Sequence, residues 1–259
     1  MDSSRSIAWE GFFNARDLGG LPTRTGGCTR RGAFIRSGDL RFVTPAGWEQ
    51  ATDFGLRTIL DLRNEDEIRP STGPAASELV GSAHVPAPED GPGFVPAGMQ
   101  RVEVPLDDVG DTEFWRYLNR EGLNGTPLYF RPFLDRKSAQ CAAVITAAVQ
   151  AAPGCVLFHC GAGRDRTGLI TLLLLALVDV EPEAIATDYV LTTEPLKALF
   201  HALGRDDEGP LIERLLSQRG TTARDAVLET LDGFDAESYL LSAGVRPTDL
   251  AEIRRRLLT

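Results

Sequence analysis

The sequence predicts an α/β fold: a mostly parallel central sheet flanked by helices, with a helical C-terminal part. Three observations predict it. Short apolar runs at residues 32–36, 57–62, 101–106 and 155–158 have strand length and are separated by helix-like stretches, the alternation that builds parallel sheets covered on both sides. Residues 169–178 are apolar all round, as in a buried helix. Beyond Pro182, one helical segment follows another with no strand pattern between them.

Taken in order, residues 1–13 form a lead-in anchored by Trp9, Phe12 and Phe13, and residues 14–20 are turn-rich. Arg16 and Asp17 read either as a structural pair or as a brace for a loop further on. Thr44 is placed to cap a helix opened by Pro45, which carries Trp48 and Ala51 inward and stops at Gly55. Residues 63–69 are charged and begin a short helix ended by Pro70. Residues 71–98, rich in Pro, Gly, Ala and Ser, read as loop with at most one short strand near 83–86; His84 there reads as solvated or backbone-bonded.

The strand at 101–106 ends in Asp107-Asp108. Residues 111–135 carry Phe114, Trp115, Tyr117, Tyr129, Phe130 and Phe133, and read either as a lid or as a helix and loop packed on the core. A long helix at 136–152 stops before Pro153-Gly154. Helices are then expected from Pro182 to Tyr189, near 196–203, 210–219, 223–231 and 236–243, and from the cap Thr248 to Leu258. The chain, 1–259, reads as a single domain with a helical part at 182–259.

Chemistry concentrates at 159–168, His159-Cys160-Gly161-Ala162-Gly163-Arg164-Asp165-Arg166-Thr167-Gly168. An apolar strand precedes it and an apolar helix follows. A turn in that position gathers successive backbone N–H groups into an anion-binding nest, and the helix dipole adds to the field. The same field favours thiolate over thiol at Cys160. Arg166 can hold two phosphate oxygens with its planar fork. Gly161 and Gly163 let the backbone close on a ligand, and Thr167 can offer its hydroxyl to the sulfur. A Cys and an Arg six residues apart are a weak pattern alone; the two glycines, the Thr-Gly and the strand–helix setting give the pattern its weight.

Composition narrows the classes. A net charge of −10 over 259 residues argues against general nucleic-acid affinity, while leaving room for a local basic site. The four cysteines, Cys28, Cys141, Cys155 and Cys160, match neither a zinc pattern nor a disulfide framework, and no metal or cofactor is expected. In one strand run Cys155 and Cys160 would lie about 16 Å apart, too far to bridge. No apolar segment follows the N-terminus and the run 169–178 is short of the ~20 residues a bilayer needs, so stable membrane insertion is not expected. A cytoplasmic protein is the default reading, with export by a route lacking a classical signal compatible with it. Oligomeric state is not legible.

The stretch HCGAGRDRTG resembles the signature loop of the protein-tyrosine phosphatase superfamily, and within it the atypical bacterial, PtpB-like (lipid-phosphatase-like) branch. That branch places a basic residue and Asp before the Arg, matched by Arg164 and Asp165. Residues 14–20 (NARDLGG), 34–40 (FIRSGDL) and 59–63 (ILDLR) resemble further motifs of the family. The resemblance implies a cysteine-dependent phosphatase acting on phosphotyrosine, with phosphoserine/threonine and phosphoinositides as further substrates, so the partner is a phosphorylated protein or a phosphoinositide. Cys160 is then the nucleophile and Arg166 the phosphate clamp. Gly161, Ala162, Gly163, Arg164 and Thr167 bind substrate, Arg164 by taking a second phosphate or else simply solvated. Asp165 is the general acid by the branch pattern; Asp108 and its neighbour Asp107 are rivals by chain order. Three alternatives stay open on the residues alone: a rhodanese-like sulfurtransferase, an arsenate reductase and a non-catalytic phosphate-binding module. The Arg166-Thr167-Gly168 continuation favours phosphate chemistry over the first. The placement of Cys141 and Cys155 speaks against the second, and the presence of a nucleophile against the third.

Overall fold

The architecture was obtained as a computed structural model, which describes residues 5–69 and 95–258. The expected loop at 71–98, the strand near 83–86 and His84 lie wholly or largely outside them. Five strands form one sheet: β1 (Arg16–Asp17), β2 (Phe34–Ser37), β3 (Leu56–Asp61), β4 (Gln100–Glu103) and β5 (Cys155–His159), in the order β1-β2-β5-β3-β4. All neighbours are parallel except β1, which pairs antiparallel with β2 at the edge. That strand was not expected from the turn-rich stretch. Asp17 explains it: one carboxylate oxygen accepts from the Gly19 N–H (2.8 Å) and the other from Gly32 N–H (2.9 Å), closing the connection that lets the chain fold back. β4 is shorter than expected, ending at Glu103, before Pro105, which cannot donate to a ladder.

The sheet divides two cores by strand alternation. Val156 and Phe158 of β5 face the larger core, with Phe34 and Leu60; Cys155 and Leu157 face the smaller, with Ile35, Leu56 and Ile59. Over the smaller face lies α1 (Pro45–Phe54), which buries Trp48 and Ala51. Its ends follow the sequence: Thr44 accepts from the Gly47 N–H at 3.1 Å, and Gly55 takes a left-handed φ of 99°.

The larger face is covered by α3 (Thr112–Arg120), a 3₁₀ turn (Pro127–Tyr129), α4 (Phe130–Arg136), α5 (Ser138–Gln150) and α6 (Asp165–Leu177). Phe114, Trp115, Tyr129, Phe130 and Phe133 are all buried there, so the aromatic stretch is packed on the core in this conformation. The helix expected from residue 136 is broken at Lys137 (φ −121°, ψ 36°), where α4 ends and α5 begins. The C-terminal part is helical throughout: α7 (Pro182–Val190), α8 (Thr193–Ala202), α9 (Gly209–Gln218), α10 (Ala223–Leu231), α11 (Ala236–Ser242) and α12 (Pro247–Leu257). Ile185, Val227, Leu240 and Ile253 from four of these join the larger core. The short α2 (Glu65–Ile68) follows β3.

This topology positions a site. Ser37 at the end of β2 and Asp61 at the end of β3 are both in register with His159, the last residue of β5. The loops leaving three parallel strands thus emerge side by side at the carboxyl edge, where open α/β sheets bind ligands.

Candidate active site

The loop leaving β5 runs from Cys160 to Arg164, and α6 begins at Asp165, four residues earlier than the apolar run indicated. Arg166 and Thr167 therefore stand on the first helical turn, at the positive end of the helix. The loop is held from outside by its carbonyls. The Asp39 N–H donates to Gly161 O (2.9 Å), Asn14 Nδ2 donates to Ala162 O (3.1 Å) and Gly163 O (3.0 Å), and Arg36 Nη2 donates to Gly163 O (2.8 Å). In trans peptides the next N–H points away from each carbonyl. The amides of Ala162, Gly163 and Arg164 are accordingly turned to the opposite side, as an anion nest requires. Gly163 supplies the left-handed turn, with φ 69°.

Those braces lead to a buried charge cluster. Asp188 on α7 receives Arg5 (2.8 Å), Arg36 (2.6 Å) and Arg16 (3.3 Å). Arg16 also donates to Asn14 Oδ1 at 2.6 Å and to Thr192. Burial pushes the Asp188 carboxyl up, but the three guanidinium groups outweigh it and hold it well below the ordinary carboxylate range. Arg16 is thus a brace of the loop, while Asp17 closes a turn; the two are not a pair.

At the centre, Cys160 is 2% exposed and its Sγ accepts from the Thr167 hydroxyl at 3.1 Å. Arg166 is gripped by Glu67 of α2 through two hydrogen bonds, 2.5 and 2.7 Å, and Asp107 Oδ2 lies 3.4 Å from the same guanidinium. The Arg166 Nε is buried with no partner among the described residues. Burial alone would raise the Glu67 carboxyl; Arg166 overrides it and keeps it below its usual range. Asp107 behaves oppositely. Burial pushes it up to about 6, the pull of Arg166 being insufficient and the charge of Glu67 adding to the push.

His159 sits under the loop, its Nδ1 3.2 Å from Cys160 O and its Nε2 3.6 Å from Asp61. Burial lowers its pKa and outweighs the opposing pull of Asp61, so the neutral ring is favoured. Asp61 is also bound by Arg63 and Arg101, and Arg63 reaches on to Asp39 at 2.8 Å, tying the β2 and β3 loops together.

A buried cysteine under inward-facing amides, with a clamped arginine on the first helical turn, is a site for an oxyanion and a nucleophile. The profile of the tyrosine phosphatase family matches residues 7–259. This chain belongs to the tyrosine phosphatase family. It is a cysteine-dependent phosphatase. The triple specificity protein phosphatase PtpB of Mycobacterium tuberculosis is 27% identical over 215 residues, which cover 73% of this phosphatase and 70% of that protein. A tyrosine-protein phosphatase of Nostoc commune is 26% identical over 248 residues, covering 87% and 74%. Among solved structures, P. aeruginosa TpbA is similar over 92% of this chain and 98% of its own, with 15% identity and a TM-score of 0.38.

The phosphatase brings Cys160, Gly161, Ala162, Gly163, Arg166 and Thr167 together, and of the two rival aspartates it sets Asp107 beside Arg166. It places three other residues differently. Asp108 is engaged elsewhere: its carboxylate is 42% exposed and bound to Lys137 at 3.0 Å, while its carbonyl accepts from the Asp111 N–H to open a turn. Asp165 is bound through both oxygens by its neighbour Arg164, at 3.0 to 3.2 Å. Arg164 itself is buried rather than solvated. It bonds Asp165 and Glu208 (3.2 Å) and lines a cavity of about 610 Å³ between α7, α8, α9 and α10, with Tyr189, Leu196 and Ile212.

Glu67 and Asp188 escaped sequence reading. Glu67 did carry a signal: Asn64-x-x-Glu67 opens a helix as a capping box does. Its Oε2 indeed accepts from the Asn64 N–H at 2.9 Å while the carboxylate grips Arg166. Asp188, in an otherwise ordinary helical segment, carried none.

Proposed function

We propose that this phosphatase hydrolyses phosphotyrosine through a phosphocysteine intermediate. The Cys160 thiolate attacks phosphorus in line while the bond to the leaving oxygen breaks. The equatorial oxygens meet the loop amides and the Arg166 guanidinium, donors already oriented before reaction. Asp107 delivers its proton to the leaving oxygen. Water then attacks the phosphorus, Asp107 takes the water's proton, the S–P bond breaks, and thiolate and inorganic phosphate are released.

The observation that carries this reading is the convergence on Cys160: the Thr167 hydroxyl on its sulfur, the loop carbonyls tied outward, and Arg166 held by Glu67. Asp107 serves as the acid because burial keeps it protonated up to about pH 6, beside Arg166. Asp165 spends its oxygens on Arg164, and Asp108 faces Lys137. A nucleophile 2% exposed favours a long aryl phosphate over a short alkyl one. Phosphoserine/threonine and phosphoinositides, carried by the resemblance and, for the mycobacterial relative, by the words triple specificity, rank lower: the first for the depth of Cys160, the second because Arg164, the candidate for a second phosphate, is already paired with two carboxylates. A cytoplasmic setting is supported by the buried, unbridged thiols of Cys141, Cys155 and Cys160.

The test is hydrolysis of an aryl phosphate without added metal by wild type and Cys160→Ser, followed by matched phosphotyrosine, phosphoserine and phosphoinositide substrates. Loss of turnover in Cys160→Ser and preference for phosphotyrosine are expected. Undiminished turnover in the variant would exclude the cysteine mechanism.

A further inference from the structure

Tyr129 ends the 3₁₀ turn Pro127–Tyr129, and its position is tightly determined. Thr126 sets the turn, its hydroxyl donating to Leu123 O at 2.6 Å and accepting from the Leu128 N–H at 3.3 Å. The ring stands edge-on to Phe130 and Phe133, with centroids 5.1 and 5.7 Å away, inside the core cluster that also contains Cys160. Yet the phenol oxygen, in a residue 2% exposed, has no hydrogen-bond partner among the described residues. A buried polar atom without a partner destabilises a fold, and phenylalanine would fill this ring site without that cost. The contrast with Tyr239 is direct: packed against the same core, its hydroxyl donates to Leu134 O at 3.0 Å.

The surroundings indicate what the hydroxyl is for. Phe130, on which the Tyr129 ring packs, reaches the first turns of α6: a Cβ on Gly168, the residue after Thr167, would stand 3.3 Å from the Phe130 ring, so Tyr129 belongs to the group of side chains packed against the start of the loop helix, and the charges of Asp165, Asp107 and Cys160 act on its phenol there. Burial pushes its ionisation well above the ordinary value, leaving a neutral O–H donor across the working pH range. The Arg166 Nε is a second buried donor without a partner in the same cluster of groups. Two unanswered donors around a nucleophile call for an acceptor that is not part of the protein.

We propose that Tyr129 is a substrate-binding residue of this phosphatase, its hydroxyl donating a hydrogen bond to the phosphoryl group held over Cys160. The assignment rests on the phosphatase reading of the site. It adds a donor from the aromatic stretch 111–135 to those of the loop, and couples the packing of that stretch to phosphate binding.

The experiment compares wild type and Tyr129→Phe as full chains, with tungstate as an oxyanion probe and an aryl phosphate as substrate. Apo Tyr129→Phe is expected to melt at or above the wild-type temperature, since an unpartnered hydroxyl has been removed. Its inhibition constant for tungstate should rise about tenfold or more, and kcat/KM should fall to match, the worth of one hydrogen bond to a charged group. Tungstate inhibition and kcat/KM within twofold of wild type would overturn the assignment while leaving the phosphatase reading intact. So would a variant that melts lower or does not fold, because the hydroxyl would then be structural. A wild type that neither binds tungstate nor turns over the aryl phosphate would sink both readings.

Discussion

Glu67 holds Arg166 through two parallel hydrogen bonds, and both side chains are almost wholly buried. The fork geometry fixes the guanidinium plane before any phosphate arrives, leaving Nε unanswered. An apo site thus contains a clamp whose charge is balanced internally. An incoming dianion must share that charge.

Glu67→Gln tests this balance. Removing one partner of a buried pair leaves the other uncompensated, and a cost on the order of 3 kcal/mol is expected. For a chain of this size that corresponds to a melting temperature lower by roughly 6–12 °C. A bound oxyanion replaces the lost negative charge, so saturating tungstate should raise the melting temperature more in the variant than in wild type. Thermal melts with and without tungstate measure it, and equal shifts would count against the balance.

Asp107 connects stability to pH with a definite sign. Its folded pKa is raised from 3.8 to about 6, so the proton it retains favours the folded state below about pH 4, and that contribution is lost as pH rises through 6. Asp107→Asn, fixed in the neutral form, should therefore be more stable than wild type at pH 7–8, and the difference should vanish near pH 4. If Asp107 is also the acid, kcat for an alkyl phosphate should fall on the alkaline side of about pH 6 in wild type and lose that limb in the variant. Melts across pH and kcat–pH profiles check the two halves separately.

The same residues show what a sequence can disclose. Cys160, Arg166 and Thr167 were legible because loop, strand and helix signals coincide within ten residues. The sheet was legible because β2, β3 and β5 are short apolar runs between helices. Asp107 against Asp108 was not, because the choice depends on which of two neighbours faces Arg166, a matter of how residues 104–108 leave the sheet. Arg164 read as a second-phosphate contact or a solvated charge because its partner Glu208 lies 44 residues on, just before a helix with no motif. Asp188 was invisible for the same reason: its three arginines come from the lead-in, β1 and β2, and only tertiary packing gathers them.

Asp188→Asn should expose that dependence. Its loss leaves Arg5, Arg16 and Arg36 buried without their counter-ion, a cost of about 3–5 kcal/mol. Because the folded Asp188 pKa is depressed, its contribution is present above the unfolded value near 4 and fades as pH falls below it. The wild type should lose stability between about pH 4 and pH 2 more steeply than the variant. Acid titrations followed by circular dichroism measure the two slopes, and identical slopes would refute the linkage.

Gly163→Ala separates backbone strain from loop closure. Gly163 has φ 69°, and an added Cβ would stand 2.4 Å from Ser37 O and 2.6 Å from the Gly38 nitrogen. Both are backbone atoms of the β2 exit and cannot swing aside. Gly204 has nearly the same φ, 65°, but a Cβ there meets nothing within 4 Å. Alanine at either position incurs the left-handed penalty of about 1–2 kcal/mol. Only at Gly163 must the loop also move off β2, which breaks the carbonyl bonds to Asn14 and Arg36 that aim the amides inward. Gly204→Ala should lose stability and keep kcat/KM, whereas Gly163→Ala should lose kcat/KM on the order of a hundredfold, the effect of an ångström-scale misplacement of catalytic groups. Steady-state kinetics at a temperature where both variants are folded decide it: a Gly163→Ala enzyme with wild-type kcat/KM would mean that the carbonyl ties do not set the loop.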